Sequence, residues 1–153
     1  MELKKRKVAR VLLLNDMDEV LLVRHTLDMA APNPDDSHAK NYWLPPGGGL
    51  EPNESFEEGA RRELMEETGI EIACVEQRLL TRDFESIYDG KPVLIEAQIF
   101  LARTGGRPSP MHNNFMLDEA ISEVKWWPIS EINSSSDSFF SAIIADLLRK
   151  ALE

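Results

Sequence analysis

Apolar residues fall along this chain in two rhythms, one of strands and one of helices. Val8, Val11, Leu12, Leu13 and Leu14 form a run too continuously apolar for a one-sided surface. It predicts a strand over residues 8–14 buried on both faces. Asn15-Asp16-Met17-Asp18 reads as a turn, and residues 19–24 return as a second strand, making a hairpin. Residues 42–44 form a short strand leading into Pro45-Pro46-Gly47-Gly48-Gly49. Residues 71–81 read as a strand with an irregularity, and residues 84–88 and 92–102 as a hairpin around Asp89-Gly90. Val93, Ile95, Ala97, Ile99 and Leu101 alternate as in a half-buried strand. Residues 124–128 form another strand, with Trp126 and Trp127 on opposite faces. One of these suits the core; the other suits stacking on a base or packing under the last helix. Residues 130–132 start a short turn. Residues 139–152 predict an amphipathic helix with Ile143, Ile144, Leu147 and Leu148 inward.

The helical rhythm is clearest over residues 56–68. Ser55 serves as N-cap with Glu58 three residues on, a capping box. Gly69 ends the helix as a residue able to take positive φ. Phe56, Ala60 and Leu64 make the apolar stripe, and Glu57, Glu58 and Arg61 read as solvated. Gly59 is costly inside a helix, by about 1 kcal/mol relative to alanine, and reads either as close packing against the glycine-rich turn or as neutral drift. Two long polar stretches, residues 25–41 and 103–117, read as loops, the first as a flap that selects substrate or a disordered insertion. The order strand, strand, strand, helix, strands, helix predicts the α/β class: an α/β/α sandwich with a mixed β-sheet between helices, in a single domain over 1–153.

Charge narrows the partners. The 153 residues carry a formal net charge of -10, which disfavours duplex nucleic acid and free polyphosphates alike. A phosphate substrate would need metal ions or a local basic pocket. Lys4, Lys5, Arg6 and Lys7 read as a solvated strand entrance, with phosphate steering as the second reading. No run approaches the ~20 apolar residues of a membrane span. The single cysteine, Cys74, excludes an internal disulfide, suits the cytoplasm and reads as a core or strand residue.

The candidate chemistry lies on the helix. Glu63, Glu66 and Glu67 stand at i, i+3 and i+4 and so share a face. Like charges at that spacing repel unless a cation offsets them, and hard divalent cations such as Mg²⁺ or Mn²⁺ favour carboxylate oxygen. Arg62 beside them suits a bidentate hold on one carboxylate. Glu54 precedes the helix, where it serves either the helix cap or an outer-shell metal or water contact.

Gly48, Glu54, Arg62, Glu63, Leu64, Glu66, Glu67, Gly69 and Ile70 together resemble the signature of the Nudix hydrolase family. The signature is Gly, five residues, Glu, seven residues, Arg-Glu, an aliphatic residue, any residue, Glu-Glu, any residue, Gly and an aliphatic residue. The resemblance implies the same sandwich fold and hydrolysis of a nucleoside diphosphate linked to another group X. It implies Mg²⁺ or Mn²⁺ held by the Gly47 carbonyl, Glu63, Glu66 and Glu67, with Arg62 orienting. The general base would be Glu66 or Glu119, with Glu123 and then Glu96 as further candidates. Arg24, Trp43, Gly48 and Tyr88 are the candidate substrate contacts. The expected partner is a small-molecule nucleotide, with no duplex nucleic acid and no membrane; a homodimer is compatible. Nucleoside triphosphates, sugar nucleotides, ADP-ribose and dinucleoside polyphosphates stay open as substrates. Glu85 stands where ADP-ribose-type members carry a proline. Two rival readings are a catalytically silent, nucleotide-binding regulatory domain and a purely structural cation site.

Overall fold

The computed structural model describes residues 3–25, 42–88, 90–110, 121–132 and 143–151. Strand β1 (Lys4–Leu14) forms a hairpin with β2 (Glu19–His25), pairing Leu14 with Val20. The two strands then part, and the chain fills the gap they leave. Strand β3 (Tyr42–Leu44) pairs antiparallel with the end of β2, and β4 (Gly47–Gly49) pairs antiparallel with β1. The Val11 N–H donates to the Pro46 carbonyl at 2.9 Å, closing the seam between them. Helix α1 (Phe56–Thr68) follows directly.

The predicted break near residues 82–83 is absent. Strand β5 is continuous over Gln77–Tyr88 and pairs antiparallel with β6 (Lys91–Arg103) through a tight turn. Gly90 takes φ 74° there. The expected irregularity is real: the register shifts between Arg78 and Leu80. Residues 71–76, read as strand, are not in one, and Cys74 is exposed among them rather than in the core. Strand β6 runs parallel to the whole of β1, from Lys4 beside Val93 to Leu14 beside Arg103. Strand β7 (Ile121–Pro128) borders β2, followed by the short helix α2 (Ile129–Ile132) and then α3 (Ile143–Ala151). The sheet order β3-β2-β1-β6-β5, with both parallel and antiparallel pairs, is mixed as predicted.

Alternation along β1 builds two core layers. Ala9, Val11 and Leu13 join Ala60 and Leu64 of α1, Phe100 and Trp126 on one face. Leu12 and Leu14 join Trp43, Trp127 and Ile144, Leu147 and Leu148 of α3 on the other. Both tryptophans are therefore core, Trp127 under the last helix and Trp126 under α1. The Trp126 indole N–H donates to the Pro108 carbonyl at 2.7 Å. The result is an α/β/α sandwich.

Helix α1 is bounded as its sequence demands. The Ser55 hydroxyl accepts from the Glu58 N–H at 3.1 Å, and the Glu58 carboxylate accepts from the Ser55 N–H at 3.0 Å. Gly69 takes φ 74° and donates to the Met65 carbonyl at 2.9 Å. Arg61 is not solvated as expected; its Nε donates to the Ile72 carbonyl at 3.1 Å and ties the helix to the segment after it. At the far end of the sheet, the Asn15 side chain closes the β1–β2 turn. Its oxygen accepts from the Met17 and Glu19 N–H groups, and its amide donates to Glu19 at 2.9 Å. Arg107 reaches the same Glu19 oxygen at 2.6 Å.

Two stability predictions follow from these contacts. Ser55→Ala removes the N-cap acceptor and lowers unfolding free energy by about 1 kcal/mol in a denaturant titration. The hydrogen bonds from Arg107 and then Asn15 hold the Glu19 pKa below its ordinary 4.5. A depressed carboxylate pKa contributes stability that is complete above that ordinary value and fades as pH falls beneath it. Wild type should therefore exceed Glu19→Gln in melting temperature at pH 7, with the gap closing below about pH 4.5.

Candidate active site

The site forms where β1 and β2 part. Strand β4 lies in that opening with α1 along one side of it. None of Gly47, Gly48 and Gly49 takes a positive φ; the described glycines that do are Gly69, Gly90 and Gly106. These three glycines therefore supply room, not backbone freedom. A Cβ on Gly48 would stand 2.7 Å from a Glu63 carboxylate oxygen. The Gly47 N–H donates to the Glu67 carboxylate at 3.2 Å. Gly59 serves the same fit from the helix side. A Cβ there would meet Glu54 at 3.0 Å and Leu50 at 3.1 Å, so the helix sits down on the segment after β4 as its sequence suggested.

Arg62 is the hub of the carboxylates. Its five N–H donors all have partners. Nε and Nη2 fork onto Glu54 at 2.8 and 3.0 Å. Nη1 reaches Glu63 at 3.2 Å and Glu66 at 3.1 Å, and Nη2 also donates to the Gly49 carbonyl at 3.0 Å. The guanidinium thus pins the helix, the glycine strand and the pre-helix turn to one another. Glu54 is more than a cap: its Oε1 also accepts from the Glu51 N–H at 2.9 Å, and its pKa is lowered chiefly by the hydrogen bond from Arg62. The Arg62 pKa is raised in turn, chiefly by the hydrogen bond to Glu54. Glu63 moves the other way. Burial raises its pKa and outweighs Arg62, while Glu66 adds to the rise.

The three helix carboxylates differ in setting. Glu67 is 6% exposed, a buried acid. Glu63 is mostly covered, and the Glu66 side chain is 44% exposed. Among the described residues, no three acidic, histidine or cysteine side chains already converge as an ion cage. Arg62 holds the charge that a cation would otherwise meet. The donor chemistry nevertheless suits a hard divalent ion. One guanidinium faces Glu54, Glu63 and Glu66, burial already disfavours ionised Glu63, and Gly48 puts no side chain of its own against that carboxylate.

Other sequence candidates fall elsewhere. Trp43 is corrected: it is 3% exposed and packs edge-on to Trp127 at 5.1 Å, so its ring is core and not a substrate contact. Arg24, one residue before the end of β2, pairs with Glu123 across to β7 at 3.4 Å. Glu96 pairs with Lys5 at 3.3 Å. Glu119, the Tyr88 side chain and residues 26–41 lie outside the described residues. One arginine escaped attention in the sequence, and a second was read there as part of a solvated strand entrance or a phosphate-steering cluster. Arg10 donates to the Pro45 carbonyl at 2.9 Å, and Arg6 lies against Gly49. Their signal was alternation, which puts both on the same face of β1 as Leu12 and Leu14.

Comparison with known proteins agrees with this geometry. The NUDIX domain profile matches residues 4–148. An 8-oxo-dGTP diphosphatase of Proteus vulgaris is 38% identical over 66 residues, 42% of this chain and 59% of that protein. The m7GpppN-mRNA hydrolase NUDT17 of Bos taurus is 37% identical over 62 residues, 40% of this chain and 18% of that protein. The match thus spans less than two thirds of either relative. The NUDIX domain of Shewanella oneidensis NrtR, complexed with ADP ribose, superposes with a TM-score of 0.69 at 21% identity, over 100% of this chain and 90% of that one. That likeness is one of fold. A profile match over nearly the full length, on a helix that keeps both its caps and its carboxylates, means that this chain belongs to the NUDIX family.

Proposed function

We propose that the protein is a divalent-metal-dependent pyrophosphohydrolase that cleaves the phosphoanhydride of a nucleoside diphosphate linked to another group X. The observation that carries this reading is the Arg62-centred cluster, in which acid side chains are concentrated beside a strand kept bare by glycine. Glu63, Glu66, Glu67 and the Gly47 carbonyl are the groups that would hold Mg²⁺ or Mn²⁺. When bound, such an ion neutralises charge on the diphosphate and makes a water more acidic.

The chain's own residues do the rest. Water oxygen attacks phosphorus, the anhydride P–O bond breaks, and its electron pair leaves on the bridging oxygen. Glu66 accepts the proton of the attacking water. It is the most exposed of the three helix carboxylates and is aimed by Arg62. Glu119 is the second candidate for that role. Buried Glu67, fixed by the Gly47 N–H, keeps helix and strand in register during turnover. Arg62 orients and does not react. Arg24 near the end of β2 is a candidate phosphate contact, released from Glu123 when substrate arrives. The substrate is a small nucleotide, and the compartment suited to the single cysteine is the cytoplasm.

A panel of nucleoside triphosphates, sugar nucleotides, ADP-ribose and dinucleoside polyphosphates, assayed with and without Mg²⁺, tests the reaction. Metal-dependent release of nucleoside monophosphate or phosphate is expected; tight binding without turnover would instead identify a regulatory domain. Glu67→Gln should keep the fold yet lower kcat by roughly a hundredfold or more, since an amide is a poor ligand for a hard cation. Gly48→Ala should displace the Glu63 carboxylate, so that kcat falls and the Mg²⁺ concentration for half activity rises. Retention of wild-type metal dependence in Gly48→Ala would remove Glu63 from the site.

A further inference from the structure

Two prolines in succession leave the corner between β3 and β4 short of hydrogen bonds. Pro45 and Pro46 have no N–H to give, so their carbonyls are the only main-chain polar groups that can fix them. Both prolines and Gly47 are buried. Consecutive residues of β1 supply the two donors. The Val11 N–H donates to the Pro46 carbonyl at 2.9 Å, and Nη1 of Arg10 donates to the Pro45 carbonyl at 2.9 Å. The first is a main-chain bond that any residue but proline makes. The second exists only because residue 10 carries a long side chain with a donor at its tip.

Register explains the path of that side chain. The bonds from Val11 to Pro46 and from the Leu50 N–H to the Lys7 carbonyl, at 3.0 Å, mark the bonded pairs of the β1–β4 ladder. Bonded and non-bonded pairs alternate in an antiparallel ladder, which makes Arg10–Gly47 a non-bonded pair. Side chains of such a pair stand close together. A Cβ on Gly47 would lie 2.5 Å from Cγ of Arg10, so the arginine stem crosses bare Gly47 backbone on its way to Pro45. The N–H and C=O of Gly47 both point away from β1, and the Gly47 N–H accordingly donates to Glu67 at 3.2 Å. The carbonyl offered to a cation therefore belongs to a residue outside the bonded pairs of its ladder. Its place is set by what holds the corner before it.

We infer that Arg10 is a positioning residue for the cation site: by holding Pro45 and overlying Gly47, it fixes where the Gly47 carbonyl stands beside Glu67. Resting on the pyrophosphohydrolase reading, this role takes that carbonyl as a ligand. Arg10 itself touches neither ion nor substrate. Groups that orient a metal ligand from behind commonly change metal affinity by tenfold or more. Arg6 supplies the contrast. It lies against Gly49 at the other end of β4, where the Gly49 carbonyl is already held by Nη2 of Arg62 at 3.0 Å.

Metal-free protein is titrated with Mn²⁺ at about pH 8, without nucleotide, and the free ion is read by electron paramagnetic resonance. Arg10→Met keeps a stem over Gly47 and loses the donor to Pro45; Mn²⁺ affinity should fall on the order of tenfold. Arg10→Lys replaces the fork by one flexible ammonium and should bind several-fold more weakly than wild type, between the two. The sign separates positioning from charge, because removing a positive group near a cation would by Coulomb attraction alone tighten binding. Arg6→Met, which removes the same charge, should stay within a few-fold of wild type. In steady-state assays Arg10→Met should raise the Mg²⁺ concentration for half activity and leave the nucleotide KM at saturating Mg²⁺ within a few-fold. Unchanged or tighter Mn²⁺ binding in folded Arg10→Met, even with a lower melting temperature, overturns the role, as does equal weakening in Arg6→Met. Should Arg10→Met fail to fold, Arg10→Lys decides alone, and wild-type affinity there overturns the role. Mn²⁺ binding that depends on Arg10, in a protein that hydrolyses nothing in the nucleotide panel, overturns the reaction and leaves the positioning role standing. Metal-dependent hydrolysis with wild-type Mn²⁺ affinity in Arg10→Met does the reverse.

Discussion

One guanidinium among acids organises this molecule. A helix bearing Glu63, Glu66 and Glu67 on one face repels itself, and Arg62 is the internal cation that makes such a face tolerable. Its value exceeds neutralisation. An arginine fork has fixed geometry, so each partner it holds is also oriented. Through Glu54 it fixes the turn before the helix, and through the Gly49 carbonyl it fixes the glycine strand. Lysine at this position would keep the charge and lose most of that architecture.

The surrounding fold keeps that arrangement in place. Strand β1 is bonded along its length to β6, so it cannot follow β2 as the two diverge. The seam they leave accepts a strand of glycines, and α1 caps it from one side through Ala60 and Leu64. Burial of Glu67 follows from this, and its Gly47 hydrogen bond is the accompanying compensation, since a buried carboxylate is costly without donors. Packing and chemistry thus meet in the same few residues. Leu64 sits in the core while its neighbour Glu63 faces the bare strand.

What could be read from the chain and what could not divides along a physical line. The caps of α1 are local interactions between residues three or four apart, and Ser55, Glu58 and Gly69 announce them. The acidic face is likewise local. The β1 run was recognisable because both its faces are buried, although its true start at Lys4 was hidden by charge. Strand β5 failed to announce itself as one element for the opposite reason. It is an edge strand, largely exposed, and residues such as Arg82 and Asp83 gain their strand conformation from the partner β6 and not from their own pattern. Long-range contacts were the least legible. Nothing in the neighbourhood of Trp43 says that it will meet Trp127, and nothing near Arg6 says that Gly49 will make room for it. Arg61 belongs with these, since the Ile72 carbonyl it finds lies beyond the end of its helix.

The clasp between His25 and Tyr42 has an evolutionary consequence. These two residues are register partners, so two points with sixteen residues between them in the chain lie side by side in the sheet. Changing the length of such an excursion adds only slowly to its closure entropy. The polypeptide between those points is therefore free to lengthen, shorten or diversify while Arg62 and its acids stay where they are. In such a scaffold the segment between two fixed anchor points can vary while the acidic cluster beside it is left unaltered.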